Sequence, residues 1–202
     1  AFPYEALVQE NLQRDRLANP FNLLDSGAMD EQRYWDVEVH YAKAGPEQIH
    51  IRVYAHNRGL DTAEIDLIPT LWFRNTWGWG DDDAARPVVE RGADVPDAAW
   101  TVRARHETLG DYFLYGAQQA ETLFTENETN NERLWQGENP QPYVKDAFHR
   151  RIVDQEVEAV NPALHGTKLG AWSHWTVESG QCARLDLVLS RDLYPEASVR
   201  GF

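Results

Sequence analysis

Three of the eight tryptophans in this chain lie within residues 72–80, among side chains that hydrogen-bond readily. An indole face packs well on the C–H face of a sugar ring, while guanidinium and amide groups bind its hydroxyls. The pattern therefore predicts a carbohydrate-handling surface. Its candidate residues are Arg74, Asn75, Trp77 and Trp79. Tryptophan is also favoured at interfaces, so docking against another domain is the alternative, and we expect Trp72 to lie in the core.

Carboxyl groups in the predicted loops raise a second possibility, the hydrolysis of a glycosidic bond. That reaction generally needs two carboxyl groups, one acting as acid and the other as base or nucleophile. The six candidates are Asp81, Asp82, Asp83, Glu126, Glu128 and Asp146. Their spacing matches no catalytic pattern, and acidic loop residues are usually solvated surface groups. We therefore assign no catalytic residue.

Histidine and cysteine give no clear site for a metal or a nucleophile. His50 and His56 lie on the polar side of a predicted strand, where ordinary surface histidines are expected. His149 and His165 lack the ligand spacing of known zinc motifs. Cys182 is the only cysteine, and we expect an inert thiol that is at least half buried. We expect no metal and no cofactor.

Residues 126–168 do not alternate as strands do, and they hold three polar clusters. A long irregular insertion in a compact domain usually serves a function or an interface. Its candidate ligand or interface residues are Glu126, Asn127, Asn130, Lys145, His149 and Lys168. The alternative is structural, because such side chains can satisfy one another and residues 125–128 fit a helix capping box.

The composition describes an acidic chain of a size that fits one large domain. Its 202 residues are 42% hydrophobic, which is ample for a core, and they carry a formal net charge of −14. That charge argues against nucleic acid and anionic membranes as partners. No apolar stretch approaches membrane-spanning length, and the first residue is not methionine. We expect a cytoplasmic segment of a longer protein.

Hydrophobic periodicity predicts the elements that must position these residues. A short helix follows Pro3, within an N-terminal helical segment expected over residues 1–25. Three alternating segments predict an antiparallel meander at residues 34–41, 49–55 and 63–73. Further strands are predicted at residues 100–106, 111–117 and 121–125. Residues 169–177 and 183–189 predict a closing hairpin.

These elements predict the fold class of residues 26–202. They are expected to form a single all-β domain, an antiparallel β-sandwich. The short N-terminal helix precedes it, and the long irregular insertion at residues 126–168 interrupts it.

Four segments resemble the N-terminal region of large bacterial proteins that are similar to glycoside hydrolase family 63, the mannosyl-oligosaccharide glucosidases. The segments are residues 71–77, 124–130, 143–149 and 161–168. The resemblance covers nearly the whole chain. It implies an N-terminal β-sandwich of the super-sandwich type, packed on a helical (α/α)6 barrel.

The resemblance also implies an activity for the larger protein. Two carboxylates of the barrel would hydrolyse an α-glucosidic bond with inversion. These 202 residues contain no such barrel, so no catalytic residue is transferred to them. The implied role is a non-catalytic domain of a bacterial, cytoplasmic enzyme, which supports the barrel and lines a cleft for an oligosaccharide or glucoside. The alternatives are a free-standing carbohydrate-binding module and a purely structural docking domain.

Overall fold

The computed structural model describes residues 2–79 and 85–193. Eleven strands lie within these residues: β1 Trp35–Gly45, β2 Gln48–Asn57, β3 Ala63–Leu67, β4 Thr70–Trp72, β5 Val88–Arg91, β6 Trp100–His106, β7 Gly110–Gly116, β8 Glu121–Thr125, β9 His165–Gly166, β10 Lys168–Val177 and β11 Cys182–Ser190. The same residues include three α-helices: α1 Tyr4–Leu12, α2 Asn131–Trp135 and α3 Ala147–Ile152. They also include three short 3-10 helices: Leu23–Ser26, Trp77–Trp79 and Val157–Ala159.

The strands form two sheets, which confirms the predicted all-β, antiparallel fold. The first sheet has seven strands in the order β1-β2-β11-β7-β6-β5-β9. In the second sheet the order is β3-β10-β4, and β8 also pairs with β10. The alternation of apolar and polar residues produces this arrangement, because successive side chains of a strand point to opposite faces.

The described residues divide into two compact units. The smaller unit comprises residues 2–38, 54–64 and 176–183. It contains α1, which confirms the predicted N-terminal helix, and no residue of α1 is buried. The larger unit comprises residues 39–53, 65–79, 85–175 and 184–193. The domain boundary expected after residue 25 stays a prediction.

The core of the larger unit is built from both sheets. Buried Val102, Leu114 and Leu187 come from the first sheet, and Phe124 and Leu169 from the second, in one apolar cluster. Two sheets that share one apolar layer in this way make a β-sandwich.

Two predicted strand connections are wrong. The expected meander ends after β1 and β2, because β3 belongs to the second sheet. The expected hairpin of β10 and β11 is not formed, because those strands belong to different sheets. Instead, β2 is the neighbour of β11 in the first sheet. At the end of β2, in the smaller unit, the Asn57 amide donates to the Gln181 carbonyl and the Asn57 carbonyl accepts the Gly180 amide, at 3.0 Å each. Here short turns join strands of different sheets, so turn residues alone do not identify strand partners.

Trp72 is also placed differently from the prediction, since it is 52% exposed instead of lying in the core. Its neighbours Leu71 and Phe73 pack against the apolar cluster. Alternation along the strand then directs the side chain between them to the opposite face.

The insertion at residues 126–168 is more ordered than a structureless loop. It contains α2, α3, one 3-10 helix and β9. β9 pairs with β5, and alternation predicts neither strand, because they are only two and four residues long. No helix in the described part of the chain is both long and apolar enough to cross a membrane.

Candidate functional site

The polar clusters meet because three strand ends of the second sheet lie side by side. Lys168, the first residue of β10, pairs with Trp72 at the end of β4 and with Thr125 at the end of β8. The segments that follow Trp72 and Thr125 therefore leave the sheet at the same edge. Strand ends of this kind are a common location for binding residues, because a rigid scaffold holds the loops.

Two asparagines join these segments. The Nδ2 group of Asn127 donates to the Phe73 carbonyl at 2.9 Å, and that of Asn75 donates to the Asn127 carbonyl at 3.0 Å. The Asn75 Oδ1 atom also accepts the Gly78 amide at 2.9 Å. Because their side chains bond to backbone groups, Asn75 and Asn127 act mainly to fix the loops.

Thr167 fixes the same region from the β10 side. Its hydroxyl accepts the backbone amide of Asn127 at 2.8 Å and donates to Glu126 Oε2 at 2.7 Å. Thr167 is itself buried. The Glu126 carboxylate is thereby held in one orientation by a fixed donor.

The centre of the site is a buried carboxylate, Glu128, whose residue is only 6% exposed. Its Oε1 atom accepts the Trp77 indole Nε1 at 3.1 Å and Arg86 Nη2 at 2.6 Å. The guanidinium carbon of Arg86 lies 5.7 Å from the centre of a Trp77 ring, which is a cation–π distance. Glu126 Oε2 lies 4.0 Å from the other Arg86 amino group. One arginine therefore faces two carboxylates and one indole.

A cavity of about 420 Å³ opens beside these groups. Its lining residues are Asn75, Trp77, Gly78, Arg86, Glu128, Thr129, Asn131 and Pro140. The volume is within the range usual for small-molecule sites, roughly 300–1,000 Å³. The lining combines an indole and a proline with hydroxyl, amide and charged groups, as a site for a polar organic ligand requires.

A neighbouring polar network supports α2. Asn130 donates through Nδ2 to both carboxylate oxygens of Asp146, at 3.1 and 3.3 Å. Its Oδ1 atom accepts the amide of Arg133 at 3.0 Å and Asn139 Nδ2 at 3.1 Å. The bond to Arg133 caps the first turn of α2. This sequence candidate therefore has a structural role.

The two candidate lysines lie beside this network. Lys145 Nζ donates to the Thr129 hydroxyl at 3.0 Å. Lys168 Nζ lies 5.3 Å from the centre of the Phe148 ring. Burial lowers the pKa of Lys168, and the nearby positive charge of Lys145 lowers it further.

The structure thus brings together Asn75, Trp77, Glu126, Asn127 and Glu128, with Asn130, Lys145 and Lys168 adjacent to them. Arg74 and His149 are exposed and do not line the cavity. The side chain of Trp79 and the candidates Asp81, Asp82 and Asp83 lie outside the described residues.

Arg86 is a site residue that the sequence does not predict. It precedes β5, a strand that alternation does not predict, and it lies 42 positions from its partner Glu128. Thr167 lies in a predicted polar cluster, but its residue type assigns it no role of its own. Either residue could be recognised as part of the site only if it were known which strand ends are neighbours.

Two further predictions are wrong. His50 is buried, because no residue of β2 is exposed on either face of the strand, and burial lowers its pKa. Cys182 is exposed, because it is the first residue of β11. Across residues 2–79 and 85–193, no group of three or more histidine, cysteine, aspartate or glutamate side chains is arranged to hold a metal ion.

The fold and the site define a β-sandwich with a polar, aromatic-walled cavity at the edge of its second sheet. No model of a known protein family matches the chain. The chain is 32% identical, over an alignment of 207 residues, to the uncharacterized protein YMR196W of Saccharomyces cerevisiae. The alignment covers 87% of this chain and 19% of the yeast protein. The chain therefore spans about a fifth of the length of that relative.

Proposed function

We propose that this chain is a non-catalytic β-sandwich of a larger glycoside hydrolase of the α-glucosidase type. In that enzyme it supports an (α/α)6 catalytic barrel and lines the substrate cleft. The resemblance of four segments to family 63 proteins supports the proposal, as does a relative about five times as long. A fold with one cysteine and no intrachain disulfide fits a cytoplasmic location.

The positions of the described carboxylates support a non-catalytic role. Glycoside hydrolysis needs two carboxyl groups that flank the scissile bond, one as acid and the other as base or nucleophile. Glu128 instead bonds to the Arg86 guanidinium at 2.6 Å, and Glu126 lies 4.0 Å from the same group. Both carboxylates therefore face the same arginine, as expected of groups that hold loops in place.

The observation that carries the docking role is an apolar surface on α2, next to the cavity. Leu134 and Trp135 are 59% and 68% exposed, and no residue of this helix is buried. The helix begins at Asn131, which lines the cavity. Large exposed apolar groups beside a binding site are typical of a surface that another domain covers. The occupant we propose is the catalytic barrel of the same polypeptide.

Hydrolysis assays test the assignment. The 202-residue chain and the full-length polypeptide are compared on a panel of α-linked glucosides. We expect the full-length polypeptide to hydrolyse a glucoside and the 202-residue chain to show no hydrolysis. Turnover by the chain alone that is lost in Glu128→Gln would overturn the non-catalytic role, and an inactive full-length protein would overturn the enzyme assignment.

Hydroxyl-radical footprinting tests the docking surface in the same two proteins. Trp135 is expected to be oxidised readily in the chain and severalfold more slowly in the full-length polypeptide, where the barrel covers it. Leu109 is a matched control, because it is 52% exposed and lies in the β6–β7 turn, far in sequence from α2. Equal oxidation of Trp135 in both proteins would contradict docking at α2.

A further inference from the structure

The Glu128 carboxylate has one oxygen that its described donors do not use. Among the described residues, Trp77 and Arg86 both donate to Oε1, and neither donates to Oε2. Glu128 nevertheless lines the 420 Å³ cavity and is 6% exposed. A carboxylate oxygen can accept two hydrogen bonds. Oε2 can therefore accept one from a ligand hydroxyl in the cavity.

Donors surround the same space. The Arg86 guanidinium carries five N–H donors, and its Nη2 group makes the bond to Glu128. Its side chain is 41% exposed, so other N–H groups are accessible from the cavity that it lines. The Thr129 hydroxyl accepts a hydrogen bond from Lys145, which leaves its own hydrogen able to donate. The lining therefore offers both donors and an acceptor, which suits a ligand whose hydroxyl groups both donate and accept.

The indole of Trp77 gives the cavity a rigid apolar wall. Glu128 holds the ring edge through Nε1, and Arg86 lies over the ring. Pro140 provides a second apolar group in the lining. A ring that is already held in place loses little conformational freedom when a ligand packs on it. The C–H face of a sugar ring can pack on this indole.

The charges of the lining select a neutral ligand. Among the described residues of the lining, Arg86 and Glu128 are the charged ones, and they form an ion pair with each other. Glu126, at 4.0 Å, further neutralises the arginine. Within the described lining, a phosphate or carboxylate ligand would therefore meet no unpaired cation, and the ammonium group of the nearby Lys145 donates to the Thr129 hydroxyl of that lining.

We propose that this cavity is a subsite for one neutral pyranose ring. Glu128 Oε2 accepts a hydrogen bond from a sugar hydroxyl, Arg86 and Thr129 donate to others, and Trp77 packs on the ring. The ligand class follows from the cavity itself. Its identity as a glucose unit of an α-linked oligosaccharide rests on the proposed function.

NMR titration of the 202-residue chain tests the subsite. The probe is maltose, a neutral α-linked glucose disaccharide, and glucose 6-phosphate is the anionic comparator. We expect a saturable shift of the Trp77 indole N–H signal with maltose and weaker binding of the phosphate. Glu128→Gln should weaken maltose binding about tenfold, the effect of losing a hydrogen bond to a charged group. Tighter binding of the phosphate would overturn the neutral-ligand assignment.

A matched control separates the cavity from general effects of charge. Glu132→Gln removes an exposed carboxylate of α2 that does not line this cavity, and maltose affinity should be unchanged. If Glu128→Gln fails to fold, Thr129→Val removes a cavity hydroxyl instead and should also weaken binding. No saturable shift with maltose, or equal affinities in wild type and variant, would overturn the subsite.

The two proposals can fail separately. Maltose binding by the chain together with an inactive full-length polypeptide would support the subsite and reject the hydrolase assignment. Hydrolysis by the full-length polypeptide without maltose binding at this cavity would reject the subsite and leave the hydrolase assignment intact.

Discussion

Two buried carboxylates of the larger unit, Asp186 and Glu128, are both paired with arginine but differ in how completely they are satisfied. Asp186 Oδ1 accepts Arg52 Nε at 2.5 Å, and Oδ2 accepts Arg184 at 2.6 Å, so each oxygen has a charged donor. At Glu128 the two donors among the described residues share Oε1, and the residue lines a cavity. A fully satisfied carboxylate serves the fold alone, whereas a partly satisfied one retains capacity for a ligand.

Asp186 and Glu128 also differ in how strongly solvent screens their ion pairs. Burial alone would raise the pKa of Asp186, but hydrogen bonds from Arg184, Arg52 and Gln118 outweigh it, so the pKa lies below the usual value. The Arg52 side chain is 12% exposed, whereas Arg86 is 41% exposed. Exposure weakens an ion pair through solvent screening. The Asp186 cluster should therefore contribute more to stability than the Glu128 cluster does.

The largest effect should come from Asp186→Asn. The change removes the charge that compensates two arginines, and breaking a buried pair in this way destabilises by about 3 kcal/mol. Urea unfolding at neutral pH measures the loss. Asp154→Asn is the control, because Asp154 is exposed and should change stability by less than about 0.5 kcal/mol. A similar small change in Asp186→Asn would mean that this cluster is not a structural anchor.

The pH dependence of the same variant sharpens the comparison. A carboxylate with a lowered folded-state pKa adds stability above its unfolded pKa, and this stability is lost as the pH falls toward the folded value. The difference between wild type and Asp186→Asn should be constant at neutral pH and shrink below the ordinary value of 3.8. A difference that stays the same at lower pH would contradict the assignment.

The second effect, smaller in stability, concerns Glu128→Gln. Glutamine keeps an acceptor oxygen for the Trp77 indole, and solvent and Glu126 both compensate the exposed Arg86. We expect a loss of about 1 kcal/mol by urea unfolding, well below that of Asp186→Asn. Equal losses in the two variants would remove the distinction between a satisfied and a partly satisfied carboxylate.

The sequence predicts which residues form strands better than it predicts which strands pair. Alternation is a local property, and it locates strands such as β6 and β7 to within a residue or two. Which strands pair depends on the packing of distant segments, and this is why the hairpin predicted for β10 and β11 is wrong. Local composition also cannot distinguish an exposed Trp72 from a buried one without knowing which face packs inward.

The candidate site shows the same limit. Residue types alone predict that the chain segments carrying Asn75, Trp77 and Glu128 contribute to a binding or interface site. Trp77 and Glu128 meet through the register of β4 and β8 against β10. Arg86, which contacts both, has no local signal in the sequence, because it precedes β5 of the other sheet. Residue type thus predicts the kind of chemistry, whereas the partner of each group requires the tertiary structure.

The smallest effect is a shift in the pKa of Lys168 when Lys145→Met removes a positive charge beside the cavity. Burial is the larger cause of the lowered Lys168 pKa and remains, so the pKa should rise only partway toward 10.5. The chain has three lysines, Lys43, Lys145 and Lys168, so lysine-selective carbon-13 labelling follows each side chain separately. An unchanged Lys168 titration would mean that Lys145 does not act on it.

Lys43→Met provides the matched control for that titration, because Lys43 is exposed on β1 and should leave the Lys168 pKa unchanged. The linked effect on stability has a definite sign. A lysine with a lowered folded-state pKa binds fewer protons in the folded than in the unfolded state, so stability rises as the pH passes upward through the folded value. In Lys145→Met this rise should begin at a higher pH and be smaller. Near the cavity, the positive charge of Lys145 is the smaller cause of the lowered Lys168 pKa. At Asp186, by contrast, direct hydrogen bonds, led by those from two arginines, outweigh the effect of burial on the pKa of the carboxyl group.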